Sequence, residues 1–325
     1  VYSEIKLMED SSMPNPTESA PLLGAGGAGG AGRTKQGYGT HERQNTQSKT
    51  VGGKTYTITR EYGKGKGKHS QIPTKITVKE GSIERLNTTN KTINGPITQI
   101  PDTSNSKDDT PLMRAARLGL TDILSDLITM GATVDAARKS DGATPLFIAA
   151  AKGHLDVVQA LITNGAKVDK ANNNCPTPLH AAAYNGNLDV VTFFSQNGAK
   201  VDKANNNCPT PLYMAAQNGH LEVVTFLSQN GADVKAARKS DGATPLHIAV
   251  EQGHLDVVEF LCGAGKAIVD KQNNIGATPL HAAAQNGNLE VVQALITNGA
   301  DVNKSNNNCP TPLYMAVQNG HLDVV

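Results

Sequence analysis

The chain has 325 residues, a formal net charge of +1, 38% hydrophobic and only 4% aromatic residues, and no Trp. That is thin for one large globular core, and no apolar run approaches the roughly 18 residues a membrane span needs. The charge is unevenly spread: residues 1–107 hold 15 Lys/Arg against 9 Asp/Glu, a net of +6, and the remainder holds 15 against 20, a net of −5.

The opening, VYSEIKLMED, lacks the pattern of a signal peptide. It also lacks an initial Met, which leaves room for upstream sequence. Residues 1–107 are rich in Gly, Ser, Thr, Asn and Lys and poor in apolar residues, which predicts a disordered tail. Tyr2-Ser3-Glu4-Ile5 and Glu18-Ser19-Ala20-Pro21-Leu22-Leu23 resemble tyrosine-based and acidic dileucine sorting signals. Such short patterns arise often by chance and matter only on a membrane-anchored tail. Gly24 to Gly29 formally matches GxGxxG, but no strand precedes it and no helix follows, so it reads as linker. Between Arg33 and Lys79 stand 11 basic residues against Glu42 and Glu61, including Lys64, Lys66 and Lys68. With only Tyr38, Tyr56 and Tyr62 interleaved, this stretch reads as solvated charge rather than a contact for nucleic acid or anionic lipid. Thr55 to Thr59 alternates like a strand, and Lys75 to Val78 suits a partner strand, which predicts a marginal hairpin over 54–79. Asn87 and Asn90 match the glycosylation acceptor pattern and stay bare without secretion.

From Thr110 the chain changes character. Thr-Pro-Leu occurs at Thr110, Thr144, Thr177, Thr210, Thr244, Thr278 and Thr311, at intervals of 33 or 34 residues. A unit of that size cannot bury a core alone and must stack on its copies. Within it, Thr144 suits an N-cap and Pro145 the first helical position. Leu146, Ala149 and Ala150 form one apolar face, and Gly153 stops a short helix. A second helix carries Leu155, Val158, Leu161 and Ile162 at helical spacing, with Asp156 in its first turn. Gly165 then caps it and a polar hairpin leads to the next unit.

Helix, turn, helix and hairpin at this period, with Thr-Pro-Leu-His spelled out at Thr177, Thr244 and Thr278, resembles the ankyrin repeat. The resemblance covers residues 110–325, as six full repeats and a truncated seventh from Thr311. It implies an all-α solenoid over 108–325 behind the tail of 1–107. It also implies a non-catalytic module that binds other proteins on the concave face of hairpins and first helices. His180, His247 and His281 fill the family position after Thr-Pro-Leu. His154, His220, His254 and His321 follow the mid-repeat glycine, so all seven read as structural. Phe147, Tyr213, Tyr314 and Met113 replace the first kind, which predicts a lost hydrogen bond and exposed aromatic surface.

Partner-facing variation in the family lies at hairpin tips and just before the mid-repeat glycine. The candidate contacts, weighted toward aromatic and Arg anchors, are Arg114, Arg117, Phe147, Lys152, Tyr184, Tyr213, Gln217, Glu251 and Tyr314. The tips barely vary: NNNCP occurs three times and ARKSDGA begins at both Ala137 and Ala237, a super-period of one hundred residues. Cys175, Cys208 and Cys309 stand where the family has Gly at positive φ, which predicts distorted tips. Equivalent points on packed repeats lie about 8–10 Å apart, too far for a disulfide. Together with Cys262 they therefore read as reduced thiols, without the spacing of a zinc site, in a cytoplasmic protein. The chain stops within a second helix, with no polar closing repeat, which predicts fraying from Thr311 and self-association. Leu295 to Asn303 resembles the site at which an asparaginyl hydroxylase modifies ankyrin repeats, although the hairpin role of Asn303 explains the residue without it.

The leading function is a scaffold or adaptor without catalysis or cofactors. Two alternatives stay open: the cytosolic portion of a membrane channel or receptor, and the substrate-recruiting part of a kinase or ubiquitin ligase.

Overall fold

The computed structural model describes residues 43–51, 54–62, 73–80, 108–204, 208–305 and 310–325. The sorting-like motifs, the glycine run, Lys64 to Lys68, the glycosylation patterns and Cys309 lie outside the described residues. The first helices of the repeats are α1 (Pro111–Arg117), α3 (Pro145–Lys152), α5 (Pro178–Tyr184), α7 (Pro211–Gln217), α9 (Pro245–Gln252), α11 (Pro279–Asn286) and α13 (Pro312–Gln318). The second helices are α2 (Thr121–Thr129), α4 (Leu155–Thr163), α6 (Leu188–Gln196), α8 (Leu221–Gln229), α10 (Leu255–Cys262) and α12 (Leu289–Thr297). First helices pack on first helices and second on second, giving the expected two-layer solenoid.

Each first helix starts as its sequence dictates. The Thr144 hydroxyl accepts from the Phe147 N–H at 3.2 Å, and Thr210 does the same for Tyr213 at 3.2 Å. Where His follows Leu, a second contact appears. His180 Nδ1 accepts from the Thr177 N–H at 3.1 Å and lies 2.7 Å from its hydroxyl. That fixes the proton on Nε2, which donates to the Pro209 carbonyl of the next repeat at 3.0 Å. His247 repeats the arrangement toward the Ala277 carbonyl at 3.3 Å. The aromatic replacements do not open the surface as expected. Phe147 and Tyr213 are buried because both neighbouring repeats close over them, and only Tyr314, on the outermost described helix, is exposed.

The mid-repeat glycine is a seat as well as a stop. His220 Nε2 lies 2.9 Å from the Tyr184 carbonyl, His254 Nε2 3.0 Å from Gln217 O, and His321 Nε2 2.9 Å from Gln285 O. A Cβ on Gly186 would lie 2.6 Å from the His220 ring, and Gly186 holds φ +70°. No other residue meets both demands. Asn187 takes the same seat with an amide, donating to the Ala150 carbonyl at 2.8 Å. The hairpins carry a parallel ladder. Carboxylates of Asp135, Asp169, Asp202 and Asp270 accept from the backbone N–H of Lys167, Lys200, Asp233 and Asp301, at 2.9–3.3 Å. Asn185, Asn218 and Asn319, before the glycines, donate back into their own helices, Asn185 to the Ala181 carbonyl at 2.8 Å, whereas Asn286 donates to the Glu251 carbonyl of the previous repeat. They cap helix ends.

Ordered structure begins before the repeats. β1 (Arg43–Val51), β2 (Lys54–Tyr62) and β3 (Pro73–Glu80) form an antiparallel sheet in that order. β2 pairs with β3, Ile58 opposite Val78 and Arg60 opposite Ile76, and β1 pairs with the other edge of β2. Tyr56, Ile58 and Ile76 enter the same apolar cluster as Leu120, Ile123, Leu124 and Leu127 of the first repeat. Arg60 pairs with Asp126 on α2, and Lys49 Nζ donates to the Gly119 carbonyl at 3.3 Å. A marginal hairpin becomes stable when a helix covers its apolar face. At the far end, Leu313, Tyr314 and Val317 are 53–59% exposed, where their counterparts Leu212, Tyr213 and Ala216 are fully buried.

The expected distortion is absent at the Cys175 tip, which keeps the left-handed turn of a glycine tip. Cys175 sits at φ +82°, where Gly276 sits at +84°.

Three outcomes follow from these contacts. Ile58→Ala should cost about 2–4 kcal/mol locally and speed hydrogen exchange in residues 111–129 but not in 211–229. Cys175→Gly should stabilise by ~1 kcal/mol, by relieving a left-handed non-glycine residue, as read by chemical denaturation. Burial holds His154, His180, His220, His247 and His281 below the ordinary imidazole range, His180 down to about 4. A depressed folded pKa means the unfolded chain binds more protons, so stability is complete above about pH 6.5 and falls toward pH 4. His180 alone contributes ~2 kcal/mol of loss by pH 5. His180→Gln should start less stable and show a shallower decline over that window.

Candidate protein-binding face

The contact residues singled out in the sequence all lie on first helices. Of the residues singled out in the sequence, Lys152, Glu251 and Tyr314 are exposed, and Arg114, Arg117 and Gln217 are half-buried. Phe147, Tyr184 and Tyr213 are buried between repeats, so they act in packing and shape the surface from beneath. They lie in successive repeats rather than in one cluster. Tyr184 packs with Cys208 and Met214, and Cys175 borders that group. Cys175, Cys208 and Cys262 are free thiols. Burial pushes the Cys208 thiol up to about 12, with Cys175 adding to the effect, and burial lifts Cys262 to about 11. Neither supplies a nucleophilic thiolate near neutrality. Among the described residues no group of three or more His, Cys, Asp or Glu is placed to hold a metal.

The two identical ARKSDGA hairpins sit in different neighbourhoods. In the first copy the fully buried Asp109 carboxylate accepts from Arg117 Nη2 at 2.5 Å and from Arg138 Nη1 at 3.1 Å. Arg138 Nε also donates to Asp141 at 2.7 Å, and Asp141 accepts the Ala143 N–H at 3.0 Å. Two guanidiniums face two carboxylates, so Arg117 stands in a balanced network. Burial disfavours the Asp141 carboxylate, but the Arg138 hydrogen bond and the Ala143 N–H hold it below its ordinary value.

One hundred residues on, Pro209 replaces Asp109, Tyr213 replaces Met113, Gln217 replaces Arg117 and Glu251 replaces Ala151. Arg238 keeps Asp241, with Nε to Oδ1 at 2.9 Å, and lies over the Tyr213 ring at 5.0 Å from its centre. Its hydrogen bond holds Asp241 below the ordinary carboxylate range. Although Glu251 is exposed, desolvation by the atoms packed around it raises its pKa, with Arg238 opposing and Asp241 adding to the rise. A shallow cleft opens here between Glu251, Gln252 and Asn286. Tyr213 therefore works as the platform for Arg238, and Arg238 itself was missed in the sequence. The signal for it was the arginine of each ARKSDGA tip, ahead of an aspartate three residues on.

Asn303 is exposed on its hairpin, and its N–H donates to the Asp301 carboxylate at 2.9 Å. It stands where Asp135, Asp169 and Asp202 stand in earlier repeats. No helix among the described residues is long and apolar enough to cross a membrane.

The chain matches the family model described as ankyrin repeats (3 copies) over residues 84–172, 112–205, 179–271 and 264–325. Among solved structures it is similar to the crystal structure of the human ASB11 ankyrin repeat domain. The identity is 30% and the TM-score 0.58, over 64% of this chain and 92% of that chain. The search of curated proteins found no match. The chain belongs to the ankyrin-repeat family.

Proposed function

We propose that the chain is a non-catalytic scaffold or adaptor, working in the cytoplasm, that binds a protein partner along its concave face. The observation that carries this reading is an open row of unlike side chains on a uniform support. Arg117, Lys152, Gln217 and Glu251 succeed one another at the ends of first helices whose other faces are buried. A rigid support lowers the entropic cost of ordering an interface. The three free thiols agree with a reducing compartment. Glu251, beside Arg238 and its Tyr213 platform, is the centre of the contact, and Lys152 and Arg117 form its amino-terminal flank. The hydroxylation of Asn303 belongs to the same reading as a modification of the exposed hairpin, and the hairpin role remains the simpler account of that residue.

The test is a partner recovered by cross-linking to the folded chain and then titrated against variants. Glu251→Ala and Lys152→Ala should each weaken it by about 1–2 kcal/mol, while Glu259→Ala on α10 should leave it unchanged. Equal losses on both sides of the solenoid, or none on the concave side, would sink the proposal. Tyr213→Ala should instead lower stability by ~3–5 kcal/mol, read by denaturation without any partner.

A further inference from the structure

The repeats are electrically polarised across their width. The second helices α2, α4, α6, α8, α10 and α12 carry eight Asp/Glu and no Lys or Arg. The hairpin stretches 131–143, 165–176, 198–209, 231–243, 265–277 and 299–310 carry twelve Lys/Arg against eight Asp, a net of +4. Each of the four middle stretches has a net of +1, and the first and last are balanced. Four of the eight hairpin carboxylates are engaged by the backbone of the next repeat, while Asp233 and Asp301 stand exposed. Asp135, Asp169, Asp202 and Asp270 bind backbone N–H groups of the following repeat. Lys167, Lys200, Lys235 and Lys271 stand exposed on those same middle hairpins. Capping of helix dipoles explains acids in the first turns of second helices, but it does not explain a cation surplus on the opposite edge.

We propose that the hairpin edge docks an extended acidic segment of a partner protein that carries one carboxylate at about every third residue. This rests on the protein-binding reading above and names the partner's chemistry. Packed repeats advance by about 8–10 Å, and an extended chain rises about 3.3 Å per residue. One carboxylate every third residue therefore meets one hairpin, and one negative charge cancels the single net positive charge there. A nucleic acid fits this edge worse. Each strand of a duplex brings a phosphate about every 3.4 Å, roughly three per hairpin, and the surplus would face the hairpin aspartates. The acidic second helices repel the same ligand from the back, which orients its approach.

The experiment uses the full chain and a fluorescent peptide of repeated Glu-Gly-Ser, roughly 12 residues long, enough for about four hairpins. Three comparators share the assay: the same composition with its glutamates in one block, the Lys-Gly-Ser counterpart, and oligothymidylate of similar length. The spaced acidic peptide should bind tightest, with an affinity that falls steeply with salt. The combined variant Lys167→Glu, Lys200→Glu, Lys235→Glu, Lys271→Glu should lose about tenfold or more, with an unchanged circular dichroism spectrum. Carboxylate-to-amide changes at Asp156, Glu222 and Glu290 on the back should not weaken it. Binding that is indifferent to the hairpin variant, equal for spaced and blocked glutamate, or tighter for oligothymidylate would overturn the proposal. A recovered partner that depends on Glu251 and Lys152 but ignores the hairpin lysines would also overturn it, and would leave the protein-binding reading standing.

Discussion

The contact on which the stack depends is small. A histidine or asparagine at the head of four second helices reaches back to the carbonyls ending the first helix of the previous repeat. His154 does so to Arg117 O, Asn187 to Ala150 O, His220 to Tyr184 O and His254 to Gln217 O. Helix ends leave carbonyls without partners, and here the neighbour supplies the donor. The donor fits only because the turn residue is a glycine in the left-handed region with no Cβ in the way. Because each bond joins one unit to the next, order is passed along the array by nearest neighbours. That is why a chain with so few aromatics can be well packed.

The same constraint frees the surface. With register fixed by the seat, the Thr-His bond and the aspartate ladder, residues just before the glycine vary without disturbing the stack. The duplicated hairpins illustrate this. One sequence, ARKSDGA, yields a closed ion network beside Asp109 and a more open arrangement beside Tyr213. The local segment is the same, so the difference comes from the preceding repeat. Function in such an array is a property of neighbouring pairs.

Much of this was legible in the chain itself. The Thr-Pro-Leu period, the glycine stops and the histidine slots follow from local chemistry, and each appears where its residues predicted. The Cys175 tip was misjudged, because the cost of a left-handed cysteine is borne there without rebuilding the turn. The fates of Phe147 and Tyr213 were not legible, because burial there is decided by the next repeat and not by the segment that contains them. The amino-terminal sheet was only half legible. Its alternation marked β2 and β3, but β1, RQNTQSKTV, has a single strongly apolar residue and forms by pairing with β2. Ion pairs such as Asp109 with Arg138 stood far apart in sequence, and no pattern within one repeat joins them.

The sheet on the first repeat has a consequence for how the array comes into being. Synthesis delivers the amino-terminal end first, and a lone first repeat would present Leu120, Ile123, Leu124 and Leu127 to water. With Tyr56, Ile58 and Ile76 already laid against them, the emerging chain holds a finished edge before the second repeat leaves the ribosome. Each later unit then has a packed neighbour to add to. A near-duplicate sequence is prone to pairing the wrong copies, and a fixed starting point lets order of emergence decide which copy meets which.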